Sequence, residues 1–275
     1  MSLKELAGKV AIITGATRKR GLGRAIGLCL ARAGADVVVT GSGRTPVHEM
    51  PRDEQESRWR GAADVAAEIT ALGVRALALD ADVTCAADVQ RLVAETVAKL
   101  GRIDILVNNA AVSRANDRVP IQDLDDDLWR KIVDVNLTGT MLCSKYVSRQ
   151  MIAQDEGGSI ISISSVAAVR APATYAAYSA SKAGIHALSA TLAAELGPLG
   201  ITANVIAPGF LDTARIDVLR TEGRWDRRLK SIPIGRPGTP EEVAELVRYL
   251  SGPHARWISG EVIMMNGAEV RRAAN

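Results

Sequence analysis

Short runs of β-branched and other apolar residues recur along the chain: VAIIT (10–14), DVVVT (36–40), VRALALD (74–80), IDILVN (103–108), SIISIS (159–164), ITANVIA (201–207) and EVIMM (261–265). Each is too short for a typical helix and rich in residues that suit a pleated, buried surface. Between them lie helix-length segments with apolar residues at 3.6-residue spacing, such as GRAIGLCLARAGA (23–35) and AADVQRLVAETVAKLG (86–101). The second has its own boundary signals, with Thr84 placed to cap it and Gly101 to close it. Strand and helix alternating in this way predict right-handed crossovers and a seven-stranded parallel sheet covered by helices on both faces. No repeat or linker divides the pattern, so residues 1–275 read as one α/β domain.

Composition narrows the function classes. The 275 residues are 47% apolar and 24% charged, enough for a large core in an ordinary globular chain. No apolar run approaches the roughly 18 residues of a membrane span. The opening MSLKELAGK lacks the apolar core of a signal peptide, which predicts a cytoplasmic protein. A net charge of +3, with no cluster of cations and aromatics, argues against a nucleic-acid partner. Cys29, Cys85 and Cys143 are too widely spaced to suggest a disulfide framework or a zinc site, and read as small buried hydrophobes in a reducing compartment. His48 and His254 have no partners at metal-ligand spacing, so no metal is expected.

The chemistry begins at TGATRKRGLGRA (14–25), a glycine-rich turn between the first strand and the first helix. That arrangement brings a pyrophosphate to a helix N-terminus, where free N–H groups and the helix dipole favour an anion. Gly15 permits the tight turn, Gly21 lets backbone approach the phosphates and Gly23 lets the helix pack closely; a bare glycine turn is the alternative. The turn opens a βαβ unit of about 30 residues, the context this motif requires.

Several further motifs follow in order: DV (82–83), NNAA (108–111), Asn136 within DVNLTG, SISS (162–165), YSASK (178–182) and APG with Thr213 (207–213). Together with TG…GLG (14–23) they make the chain similar to the short-chain dehydrogenase/reductase family over nearly its whole length, and in particular to 3-ketoacyl-reductase-like members. The resemblance implies a doubly wound Rossmann-type domain, a nicotinamide dinucleotide, and reduction of a carbonyl or oxidation of an alcohol. By position it implies cofactor contacts from Gly15, Thr17, Arg20, Gly21, Leu22, Gly23, Ser42, Arg44, Asp82, Val83, Asn109, Ala110, Pro208, Gly209 and Thr213. Asp82 would meet the adenine, or else cap the next helix. Asn109 and Ala110 would meet the adenosine ribose, and Pro208, Gly209 and Thr213 the nicotinamide end, where 208–209 also reads as a plain turn. Ala111 and Ala268 stand where glycine is usual, and each adds one methyl group.

Tyr178 and Lys182 are four residues apart and share a face of a helix. A free phenol titrates near pH ~10, too high for easy proton exchange at neutrality, and a neighbouring ammonium favours the phenolate. The pair is therefore a candidate general acid/base unit, with Ser165, thirteen residues before Tyr178, ending a strand where its hydroxyl can hold a substrate oxygen. The resemblance adds that Lys182 and Tyr178 contact the nicotinamide ribose and that Asn136 supports a proton relay through water. His186, one turn beyond Lys182, reads as a packing or subunit contact.

Two departures leave alternatives open. Five residues separate Gly15 from Gly21, where the family pattern has three, and the longer spacing also occurs in the divergent enoyl-thioester reductases. Those use a Tyr-x6-Lys pair, which Tyr175 and Lys182 match; Ser165 and the complete YSASK favour carbonyl chemistry, with Tyr175 a pocket wall. The charged segment 42–60 is a long insertion after the second strand. Segment 210–232 is expected to form a substrate lid, and its excess of cations hints at an anionic substrate. A non-catalytic dinucleotide sensor is the alternative from another class. NAD-specific sites place an acid after the second strand, whereas here stand Gly41, Ser42, Gly43 and Arg44. With Arg20 this predicts NADP(H) over a possible NAD(H), the two guanidiniums meeting a 2′-phosphate. The Ala- and Gly-rich helix at 183–196 and the resemblance predict a homotetramer.

Overall fold

The computed structural model describes residues 4–43, 50–112, 117–220 and 224–269. Arg44 and His48 lie outside the described residues, as does part of the 42–60 insertion.

The strands are β1 (Val10–Ile13), β2 (Asp36–Gly41), β3 (Ala76–Asp80), β4 (Ile105–Asn108), β5 (Gly158–Ile163), β6 (Ile201–Pro208) and β7 (Val262–Met265). They form one sheet in the order β3-β2-β1-β4-β5-β6-β7. Every pairing is parallel, with Ala11 opposite both Val37 and Ile105. The apolar runs thus fall where they were expected: in a sheet covered on both faces the inner strands bury their side chains, while the outermost strands β3 and β7 stay partly exposed. All four residues of β1 and all eight of β6 are buried.

The pleat sends alternate residues to opposite faces. Ala11 and Ile13 join a core with Ile26 and Leu30 of α1 (Leu22–Arg32), Val65 and Ile69 of α3 (Ala62–Thr70) and Val243 and Val247 of α10 (Pro240–Ser251). Val10 and Ile12 join a second core with Val89 and Leu92 of α4 (Ala86–Leu100), Val147 and Met151 of α6 (Gly139–Gln154) and Leu196 of α8 (Ala176–Leu196). The remaining helices are α2 (Arg52–Glu56), α5 (Asp126–Val133), α7 (Ala167–Arg170) and α9 (Arg224–Leu229). Among the described residues no helix is long and apolar enough to cross a membrane.

One boundary differs from expectation. Thr84 does not cap α4: its N–H and hydroxyl both donate to the Asp82 carboxylate, at 3.0 and 2.7 Å, and the helix starts behind Cys85 with no side-chain cap. The nearer acceptor, two residues back, wins by forming a local turn. Gly101 closes the helix at φ 90°, as expected.

The strand order reverses at β1, which pairs with β2 on one side and β4 on the other. Connections leave these neighbours in opposite directions, so a crevice opens past their carboxyl ends. The residues singled out for the site that the structure describes lie there or on the elements that rim it.

Candidate active site

At the floor of the crevice, backbone meets backbone. Gly15 adopts φ +67°, and a Cβ on it would come within 2.7 Å of the Ala110 Cα. A Cβ on Gly23 would lie 2.8 Å from the Ala16 Cα. Gly21 is also required by the lengthened turn itself, because a Cβ there would sit 2.9 Å from the Arg18 Cβ. Asn109 ties the turn to β4, its amide donating to the carbonyls of Thr14 and Gly15 at 2.8 and 3.1 Å. The Thr14 hydroxyl in turn accepts from the N–H groups of Asn109 and Ala110, both at 3.0 Å.

Gly21 is the N-cap of α1, where no side chain caps the helix and no acid occupies the first turn. Its first N–H groups therefore have no side-chain acceptor, which suits an anion. The fit to the dinucleotide that the motifs imply rests on this bare helix end at the topological switch point.

The turn's cations are held by acids from elsewhere. Glu54 of the insertion, only 1% exposed, accepts from Arg18 at 3.1 Å and from the Lys19 N–H at 2.7 Å. Trp59 donates its indole N–H to the Thr17 carbonyl at 2.8 Å. Arg20 is bridged to Asp217 and, at 3.2 Å, to Asp53. These partners, Asp217 foremost, hold its guanidinium above its ordinary pKa. Sequence reasoning missed this clamp, since its two halves are far apart in the chain.

On the opposite wall, Ser165 follows β5, and its hydroxyl accepts from the Ala167 N–H at 3.2 Å. Tyr178 and Lys182 lie one turn apart on α8, as their spacing predicts. The Lys182 amine is buried and donates to the carbonyl of Ile163, the last residue of β5, at 2.8 Å. That bond brings the Tyr178–Lys182 face of α8 to the strand end that carries Ser165. Burial, and secondly the field of Arg215, push the Lys182 amine down to about 7. His186 contacts the Ser164 hydroxyl at 2.8 Å through Nε2, a packing role in keeping with expectation.

Asn136 sits in a π turn, Asp134–Thr138, between α5 and α6. The widened turn carries its fully buried side chain inward, where it accepts from the Val112 N–H and donates to the Ser181 hydroxyl, both at 3.0 Å. Asn136 thus links the loop after β4 to α8. Tyr175 precedes α8 and meets Tyr178 edge to face, centroids 6.5 Å apart. Its neighbour Thr174 holds φ 68°, a left-handed conformation unusual for a β-branched residue. Two guanidiniums not foreseen at this point stack on the same rings. Arg118 lies 3.8 Å from the Tyr175 centroid and 4.7 Å from that of Tyr178, and Arg215 lies 5.1 Å from the latter.

The other expected cofactor residues cluster around the crevice. Ser42 follows β2, Asp82 and Val83 follow β3, and Pro208, Gly209 and Thr213 end β6 and begin the segment beyond it. Arg44 is outside the described residues.

Comparison with known proteins agrees with this fold. Residues 15–267 match the family model described as enoyl-(acyl carrier protein) reductase. A 3-oxoacyl-[acyl-carrier-protein] reductase of Synechocystis sp. is 40% identical, over 96% of this chain and 98% of that protein. An uncharacterized oxidoreductase of Methylorubrum extorquens is 37% identical, over 96% and 99%. A structure named as a short-chain alcohol dehydrogenase of Sinorhizobium meliloti superposes with a TM-score of 0.84 at 32% identity, covering 97% and 98% of the two chains. The chain belongs to the short-chain dehydrogenase/reductase family, among its 3-ketoacyl-reductase-like members, and is an oxidoreductase.

The Lys182 amine makes a stability prediction. Its pKa is lowered by folding, so protonation penalises the folded state. Relative to a Lys182→Met variant, wild-type stability is undiminished above the unfolded pKa of about 10.4. It falls as pH drops toward about 7 and changes no further below that. Thermal unfolding of both proteins without cofactor between pH 6 and 10 checks this; parallel profiles contradict it.

Proposed function

We propose that this enzyme moves a hydride between a nicotinamide nucleotide, NADP(H) in preference to NAD(H), and a ketone or secondary alcohol. The observation that carries the reading is the Lys182 amine on the Ile163 carbonyl, 2.8 Å away, which sets Tyr178 beside the strand end bearing Ser165. When bound, the nucleotide supplies or accepts the hydride. Residues Gly15, Thr17 and Arg20 to Gly23 hold its phosphates and adenosine, with Ser42, Arg44, Asp82, Val83, Asn109 and Ala110 around the adenosine end. Pro208, Gly209 and Thr213 receive the nicotinamide end. Ser165 holds the substrate oxygen, and Tyr178 gives that oxygen a proton on reduction and takes one on oxidation. Lys182 orients the ribose, and Asn136 keeps the loop after β4 in register with α8. The names of the 3-oxoacyl reductase relatives support a ketone substrate.

Tyr178→Phe removes the proton-transferring hydroxyl and is expected to lower kcat/KM at least about a hundredfold with the fold retained. Tyr175→Phe is expected to cost less than about tenfold. The assay is nucleotide oxidation with a panel of ketones, including the N-acetylcysteamine thioester of 3-oxobutanoate. A reversed order of the two variants would favour the enoyl-thioester reductase reading, in which Tyr175 acts, and a panel without turnover would count against carbonyl reduction.

The NADP(H) preference is supported by the end of β2. Gly41, Ser42 and Gly43 put no carboxylate of their own at the position where NAD-specific sites carry one, and a Cβ on Gly41 would strike the Thr17 Cγ2 at 2.2 Å. Wild type is expected to bind NADPH more tightly than NADH, and Arg20→Ala to weaken NADPH by about tenfold or more while sparing NADH. Titration of both nucleotides tests this; equal losses would remove Arg20 from the phosphate site.

A single domain, a cytoplasmic setting and a homotetramer complete the proposal. Free thiols at Cys29, Cys85 and Cys143 suit a reducing compartment; Cys29 and Cys143 are buried as expected, whereas Cys85, at the start of α4, is exposed. Edge strand β7 carries Met264, 53% exposed, and Trp257 in the connection before it is fully exposed; exposed edges and apolar side chains of this kind suit a covering partner. Light scattering at micromolar concentration is expected to return four times the chain mass, and a monomer would refute the assembly.

A further inference from the structure

The two arginines over the catalytic tyrosine differ in what holds them. Arg118 is paired with the buried carboxylate of Asp117. Arg215 donates one hydrogen bond, to the Val112 carbonyl at 3.1 Å, and among the described residues no carboxylate pairs with it. A guanidinium has five N–H donors in a planar fork, so most of this one's donor capacity has no carboxylate partner. It stands on the segment after β6, beside Tyr178, and its charge works against the neighbouring Lys182 amine. Among the described residues, Arg118, Arg215 and Lys182 gather around these tyrosine rings, and of the three only Arg118 is paired with an acid, Asp117. A cation that no described carboxylate pairs, set beside the proton donor, opposes further positive charge there until an anion arrives with the substrate.

We propose that Arg215, with Arg118 nearby, receives a carboxylate of the substrate, so that this site takes small oxo acids, and the hydroxy acids they become, over uncharged ketones. This rests on the carbonyl-reductase reading. The carboxylate takes no part in the redox step. The carbonyl carbon gains the hydride from the reduced nucleotide, its oxygen gains the Tyr178 proton, and the nucleotide leaves oxidised by two electrons. The fork-to-carboxylate geometry supplies paired, charge-assisted hydrogen bonds, which a lysine does not reproduce. It also places the carbonyl within a few bonds of the carboxylate, because the guanidinium carbon is 5.1 Å from the Tyr178 ring centre.

The test uses 2-, 3- and 4-oxopentanoate, each against its methyl ester. Calorimetric titration is run with oxidised nucleotide present, which does not react with a ketone. At least one acid is expected to bind about tenfold to a hundredfold more tightly than its ester. In Arg215→Met that ratio is expected to fall to near one, and in Arg215→Lys to recover in part. No acid preferred by more than about twofold, or a preference that survives Arg215→Met, overturns the inference. Turnover of the same panel with reduced nucleotide separates the two readings. Acid binding that depends on Arg215 without turnover of any compound would reject the reductase reading alone. Turnover of acids and esters at equal efficiency would reject the oxo-acid inference alone.

Discussion

Lys182 carries a primary amine into a position that is only 3% exposed and gives it a neutral partner, the Ile163 carbonyl. One such hydrogen bond does not replace the hydration of an ammonium, so the charge is marginal near neutrality. The rest of the site is arranged around that constraint. The bond docks α8 against the end of β5, and Tyr178, one turn earlier, takes its place from the same docking. Ser164 reinforces it, donating its hydroxyl to the Lys182 carbonyl at 3.0 Å. From the far side, Asn136 secures α8 through Ser181. Chemistry that needs a proton donor in a fixed place is thus supported by rigid elements, helix and strand ends, rather than by loops.

The lengthened glycine turn and the insertion after β2 explain each other. The lengthened turn introduces cations and an extra backbone donor, and the insertion after β2 supplies the acids and the indole that engage them. Magnitudes separate these contacts. The exposed Arg52–Glu56 pair on α2, 91% and 63% exposed, belongs to a class that contributes about 0–1 kcal/mol. Glu54, 1% exposed and joined to both Arg18 and a backbone N–H, is a buried charge whose partners cannot be removed without a larger penalty, about 3–5 kcal/mol in comparable cases. The insertion therefore braces the glycine turn, and the turn's length is matched to it.

Much of this was legible in the chain. A doubly covered parallel sheet demands continuous apolar runs, and that demand marks all seven strands. The Tyr178–Lys182 spacing is a local, helical relation and needs no tertiary information. What stayed hidden was non-local or decided by small local competitions. The π turn at Asn136 leaves no periodic signature. The Glu54 contact spans 35 residues, and the Arg20–Asp217 contact 197, so neither is implied by neighbouring sequence. Thr84 reads as a cap until the Asp82 carboxylate is seen to claim it. Arg118 and Arg215 belong to separate connections whose convergence on Tyr178 is a product of the strand order alone.

That convergence also couples the two halves of the site. The N–H of Ala214, the residue before Arg215, donates to the Arg20 carbonyl at 3.1 Å, and Asp217 pairs with the Arg20 side chain. The segment bearing Arg215 is therefore anchored to the glycine turn by a backbone bond and an ion pair, within four residues of each other. Any displacement of the turn at Arg20 carries to the guanidinium over Tyr178 through two covalently adjacent residues. The field felt by the Lys182 amine shares that dependence, because Arg215 is the charge that opposes it. The geometry of the glycine turn, the placement of the cation over the tyrosine and the charge on the buried lysine form one linked set, with Arg20 as the joint between them.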